Sequence, residues 1–128
     1  MKWSITMMKA LAILYGIVFV AIGVMGFLPH FTQKEMLFGM FQVNAMHNIV
    51  HLVTGLIALW VGFSTASACR IFFQVFGIIY LLVSFLGFYY GDQMMLGIIA
   101  NNAADSWAHL LIAFVTLFFG FGIKVRKQ

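Results

Sequence analysis

The side chains able to do chemistry are concentrated in two stretches of the same pattern, Asn44-x-x-His47-x-x-x-His51 and Asn102-x-x-Asp105-x-x-x-His109, offset by 58 residues throughout. Together they hold three of the four histidines and one of the three carboxylates of the chain. On a helix, residues at i, i+3, i+4 and i+7 share one face. His47, His51, Asp105 and His109 therefore converge if the two helices face each other. Three imidazoles and a carboxylate suit a divalent metal, with Zn²⁺ favoured and Fe²⁺, Mn²⁺ or Cu²⁺ as alternatives. Asn44, Asn48, Asn102 and Ser106 are placed to orient such ligands from behind. Trp107 lies next to them in sequence, where an interfacial anchor is also expected.

Two other chemistries fit the same residues. His51 and His109 occupy equivalent places and could be the two axial ligands of a non-covalently held haem, since no Cys-x-x-Cys-His attachment motif is present. Without any cofactor, the cluster is a buried hydrogen-bond network. Asn44 and Asn102 are good N-caps, Asp105 satisfies the first turn of its helix, and His47 and His51 bond to Asp105. The outer-side methionines Met36, Met40, Met46, Met94 and Met95 are soft enough for Cu(I) but are also ordinary apolar filler. His30, after Pro29, reads as a loop residue.

These residues lie in a chain of 128 residues that is 64% hydrophobic and 8% charged, too apolar for a soluble domain of this size. Charge-free runs separate Lys9 from Lys34, Glu35 from Arg70, Arg70 from Asp92 and Asp105 from Lys124. A spanning helix needs roughly 20 apolar residues, so the runs predict four transmembrane helices near 8–28, 44–64, 71–90 and 103–123. The first run is too long for a typical signal peptide, and no Ala-x-Ala-like site follows it, so an uncleaved helix is expected. With the N-terminus inside, Lys2, Lys9, Arg70, Lys124, Arg126 and Lys127 are all inside and only Lys34 is outside. That asymmetry predicts cytoplasmic termini. The net charge of +4 is thereby explained by topology and by anionic lipid headgroups, and gives no reason to invoke nucleic acid. Cys69 is expected in the cytoplasmic loop, as an inert small residue.

The matching extends beyond the polar residues. Gly39, Leu52, Leu59, Gly62 and Phe63 meet Gly97, Leu110, Leu117, Gly120 and Phe121 at the offset of 58. Lys9, Gly16, Gly26 and Phe27 meet Arg70, Gly77, Gly87 and Phe88 at an offset of 61. The pattern predicts an all-α bundle of two tandem two-helix hairpins (about 8–64 and 70–123) in one domain spanning 1–128. Two copies of like orientation are related by a pseudo-twofold axis along the membrane normal. Helices 2 and 4 are expected to face each other or to pack near that axis. Small residues (Gly55, Ala58 and Gly62; Ala113, Thr116 and Gly120) would permit close approach. The apolar segments Leu37–Phe41 and Met95–Ile99 would cover the cluster.

The segments LFGMFQVNAMHNIVHLVTG and NNAADSWAHLL resemble a bacterial family of four-helix inner-membrane proteins known only as a domain of unknown function. Its members typically show Leu-His-Asn-Ile-Val-His-Leu and Ala-Asp-Asn-Trp-Leu-His-Leu; here Met46, Ser106 and Ala108 depart from that pattern. The resemblance maps onto His47, Asn48, His51, Ala104, Asp105, Trp107 and His109. It implies a bacterial inner-membrane protein of this fold and brings no activity. A metal-binding or sensing protein, an enzyme, and a structural or partner-binding protein, homo-oligomeric or otherwise, all remain open. The enzyme is the least supported, because no Ser-His-Asp signature or phosphate loop is present. Transport is also poorly supported, because the inner halves of the helices lack a polar path.

Overall fold

Each of the four apolar runs begins with a residue whose side chain can stop the chain from fraying, and the computed structural model, which describes residues 2–126, starts a helix at each. Helix α1 spans Ile5–Met25, α2 Ala45–Gly62, α3 Ala66–Tyr90 and α4 Ala103–Leu117. Their N-caps Ser4, Asn44, Thr65 and Asn102 are all extended and accept a backbone N–H three residues on, satisfying donors that the first turn leaves without partners. Helix α4 continues into a π-helical turn, Phe118–Gly122. All four helices are long and apolar enough to cross a membrane. Large apolar residues such as Leu14, Leu56, Trp60, Leu82 and Leu111 face outward, where lipid would cover them. Helix α1 begins and ends three residues earlier than expected, and α3 begins five residues earlier because Thr65 caps it. Cys69 is accordingly not in a loop: it is buried in the first turn of α3, its Sγ donating to the Val61 carbonyl at 3.1 Å.

Antiparallel alternation places both described chain ends and the 63–65 connection at one end of the bundle, called the terminal end below. The long 26–44 and 91–102 connections lie at the other. At the terminal end, β1 (Lys2–Trp3) pairs in parallel with β5 (Lys124–Val125). Lys127 lies outside the described residues. In the 26–44 connection, β2 (Thr32–Gln33), β3 (Met36–Leu37) and β4 (Phe41–Gln42) form a small antiparallel meander. Its two-residue turn, Lys34–Glu35, has both φ positive, as a type I′ hairpin requires.

The extensive helix contacts are α1 with α2 and α3 with α4. The reason lies in the small residues. A Cβ on Gly55 would come within 2.8 Å of the Gly16 carbonyl oxygen, and one on Gly16 within 2.9 Å of the Leu59 nitrogen. A Cβ on Gly77 would meet Leu117, and one on Gly120 would come within 2.6 Å of the Gln74 nitrogen. Gly16, Gly55, Gly77 and Gly120 thus seal each hairpin, whereas periodicity alone had placed Gly55 and Gly120 on the seam between α2 and α4. Between hairpins the core is aromatic: Tyr15, Phe19, Phe72, Phe73 and Tyr80 stack or meet edge-on. Two hydroxyl bonds cross between the hairpins. Tyr15 and Thr116 share one of 2.9 Å, and Tyr80 meets Thr54 at 3.1 Å.

Candidate metal centre

The first two turns of α2 and α4 carry the polar pattern at the end opposite the chain termini. Asn44 Oδ1 accepts the His47 N–H and Asn102 Oδ1 accepts the Asp105 N–H, both at 3.0 Å. On α4 the cap is reciprocal, since Asp105 Oδ2 accepts the Asn102 N–H at 3.1 Å. The amide nitrogens of both caps reach across the bundle: Asn44 Nδ2 donates to the Ile98 carbonyl at 3.0 Å and Asn102 Nδ2 to the Met40 carbonyl at 2.9 Å. Met40 and Ile98 sit in like turns. Phe38 and Gly39, and likewise Leu96 and Gly97, have positive φ. Met40 N–H bonds to the Leu37 carbonyl and Ile98 N–H to the Met95 carbonyl, each at 3.1 Å. Each cap therefore fixes the loop that belongs to the other hairpin.

With α2 and α4 held in this way, the imidazoles meet. The ring centroids of His47 and His51 are 4.8 Å apart, those of His47 and His109 5.4 Å, and those of His51 and His109 5.8 Å. One potential ligand atom from each lies within 4.8 Å of the others, and all three residues are buried. These three histidines could hold a metal ion. In a tetrahedral site, Zn–N bonds of about 2.0–2.1 Å put two nitrogens about 3.4 Å apart, so the three rings would draw closer together on binding an ion. His47 Nδ1 lies 2.9 Å from the Ala100 carbonyl oxygen. A carbonyl only accepts, so Nδ1 carries the proton and Nε2 keeps its lone pair for a ligand. Metal-bound histidines are oriented in this manner. The Nδ1 atoms of His51 and His109 are buried without a hydrogen-bond partner among the described residues, which costs about 1–3 kcal/mol each if nothing fills the site.

Asp105 is outside this triangle of ligand atoms, but lines a cavity of about 100 Å³ with all three histidines. Leu37, Phe38 and Phe41 from the first long connection line the same cavity. A second cavity, of about 240 Å³, reaches the three histidines from the α2–α3 side, past Met95, Ile99 and Tyr80. The two apolar connecting segments thus flank the cluster on both sides. Asn48 and Ser106 are buried. Both pack against glycines at the ends of helices: a Cβ on Gly26, the C-cap of α1, would strike Asn48, and one on Gly87, in the last turn of α3, would come within 2.6 Å of Ser106 Oγ. Ser106 donates to the Asn102 carbonyl at 3.2 Å, so it braces the cap and not a ring. Trp107 is exposed and meets Phe88 edge-on at 5.0 Å; no histidine touches it in this packing. His30 is exposed in the first connection, against Phe31. Met40, Met46 and Met94 are also exposed.

Three residues near the cluster had no signature in sequence. Phe19 packs 5.5 Å from His51, and Tyr80 6.4 Å from His51 and 5.8 Å from His109; each is one aromatic within an apolar run. Asn101 is buried and donates to the Gly87 and Gly91 carbonyls at 3.1 and 2.7 Å, closing the end of α3 onto the start of α4. Its position directly before the capping Asn102 was the only available hint.

No curated protein and no solved structure matches the chain. A family model described as a domain of unknown function (DUF4383) matches residues 9–122, which take in α1 from Lys9 onward, the other three helices and every residue of the histidine cluster, and the chain belongs to that family.

Proposed function

We propose that this is a multi-pass membrane protein that binds one divalent metal ion, zinc in preference to iron or copper, through His47, His51 and His109. The observation that carries the reading is the pair of buried, unpartnered Nδ1 atoms of His51 and His109 beside a third histidine whose tautomer leaves a lone pair free. A self-contained hydrogen-bond network would satisfy those nitrogens within the protein, and Asp105, the partner such a network needs, makes its side-chain hydrogen bond to the Asn102 N–H and leaves both nitrogens unpartnered. Haem is less well supported, because His47 packs against both His51 and His109 and the two adjoining cavities, of about 100 and 240 Å³, are each smaller than a porphyrin needs. Three neutral imidazoles leave the charge of the ion uncompensated in a membrane interior. Asp105 supplies the nearest counter-charge, as a fourth ligand or through the cavity. By the distribution of basic residues, the site lies toward the outer face of a bacterial inner membrane with both chain termini cytoplasmic. The like cap-to-loop bonds of Asn44 and Asn102 support an origin by hairpin duplication.

Titrating metal-stripped protein with Co²⁺ tests this reading. A three-histidine site is expected to give intense visible d–d absorption that saturates at one equivalent and is reversed by Zn²⁺. Absorption no stronger than that of hexa-aqua Co²⁺ would contradict it.

A further inference from the structure

The terminal end of the bundle carries Lys2, Lys9, Arg70, Lys124 and Arg126, while the three carboxylates Glu35, Asp92 and Asp105 all lie at the other end. A cavity of about 640 Å³ opens there, lined by Lys9, Arg70 and Arg126 together with the hydroxyl residues Ser64, Thr65 and Ser67. Three separate parts of the fold build it: α1, the capped first turn of α3, and the segment after β5. Each part is tied down. Arg126 N–H bonds to the Trp3 carbonyl at 2.8 Å. Arg70 Nε donates at 3.1 Å to the Gly120 carbonyl, within the π-helical turn, so the guanidinium is anchored through one nitrogen and keeps its two terminal amino groups for a ligand. Thr65 Oγ1 caps the Ala68 N–H, leaving the N–H groups of Ala66 and Ser67 at the positive end of a 25-residue helix. Such N–H groups and the helix dipole favour an anion. No salt bridge neutralises the three cations among the described residues.

We propose that this cavity binds a phosphate group, held by Lys9, Arg70 and Arg126. Its sources are the headgroup of an anionic phospholipid and free phosphate. Basic pockets between transmembrane helices take lipid headgroups in this way, and Arg offers oxyanions paired N–H donors. The site is at the opposite end of the bundle from the histidines and stands whether or not they hold a metal.

Native mass spectrometry of the detergent-purified full chain, incubated with equal amounts of phosphatidylglycerol and phosphatidylcholine, tests the proposal. The expected result is retention of one phosphatidylglycerol in preference to phosphatidylcholine. Lys9→Gln with Arg126→Gln should lower that preference about 25-fold, at roughly fivefold per basic side chain near the surface, and Lys34→Gln at the far end should leave it unchanged. Arg70→Gln should act likewise, with thermal unfolding followed alongside because its bond to Gly120 also joins α3 to α4. A parallel titration with inorganic phosphate separates the sources: saturable binding that displaces the lipid identifies free phosphate, and its absence with lipid retained identifies the headgroup. Binding of neither probe would overturn the proposal. So would equal retention of the two lipids with no phosphate binding, or an equal loss in Lys34→Gln.

Discussion

Asp105 has two jobs that substitution can separate. Its carboxylate caps α4 by accepting the Asn102 N–H, and it faces the cavity shared with the three histidines. Asp105→Asn keeps an acceptor oxygen for the cap and removes the charge. The expected outcome is near-wild-type thermal stability with metal affinity reduced about 10–100-fold, measured by competition with a chelator. Asn102→Ala should show the reverse emphasis. Loss of an N-cap costs about 0.5–2 kcal/mol, and this variant also loses the bond to the Met40 carbonyl, so a clear drop in melting temperature is expected. At this scale the ligands were legible because ionisable groups are rare in apolar runs and His47 and His51 share a helix face. What spacing does not carry is which ring nitrogen is free. That depends on the Ala100 carbonyl, 53 residues away in sequence, and no local pattern encodes it.

At the scale of the elements, the helices were readable from charge-free runs and their caps, within three residues for most ends. The partner of each small-residue stripe was not. Periodicity assigns Gly55 to a face but says nothing of what covers that face; the structure puts Gly16 of α1 there, not α4. This has a sign that can be checked. In an ordinary helix, Gly→Ala is stabilising by about 0.5–1 kcal/mol. Gly55→Ala would instead drive a methyl group to within 2.8 Å of a backbone oxygen, and overpacking costs about 1–3 kcal/mol. Gly55→Ala is therefore expected to lower the melting temperature, followed by circular dichroism in detergent, and a rise would contradict the assigned seam. Tyr80→Phe removes one of the two hydroxyl bonds that cross between the hairpins. It should cost about 0.5–1.5 kcal/mol without removing the ring from beside His51.

For the whole molecule, the two ends differ in kind. One holds the histidines under two apolar connecting segments, and the other holds basic side chains and both described chain ends. The positive-inside asymmetry predicts that Lys34→Cys is labelled by a membrane-impermeant thiol reagent from outside intact cells. Arg126→Cys should be labelled only after permeabilisation, and native Cys69, fully buried, should not react in either case. The cross-bundle bonds of Asn44 and Asn102 make the histidine site a property of both hairpins together, since each loop is held by the other's cap. The most direct test of the central claim is the metal content of the untagged protein, purified without added metal or chelator, beside His51→Ala and His109→Ala. The account predicts close to one divalent ion, chiefly zinc, per wild-type chain and almost none in either variant, with all three proteins equally helical. Substoichiometric metal in the wild type, or metal retained in both variants, would contradict it.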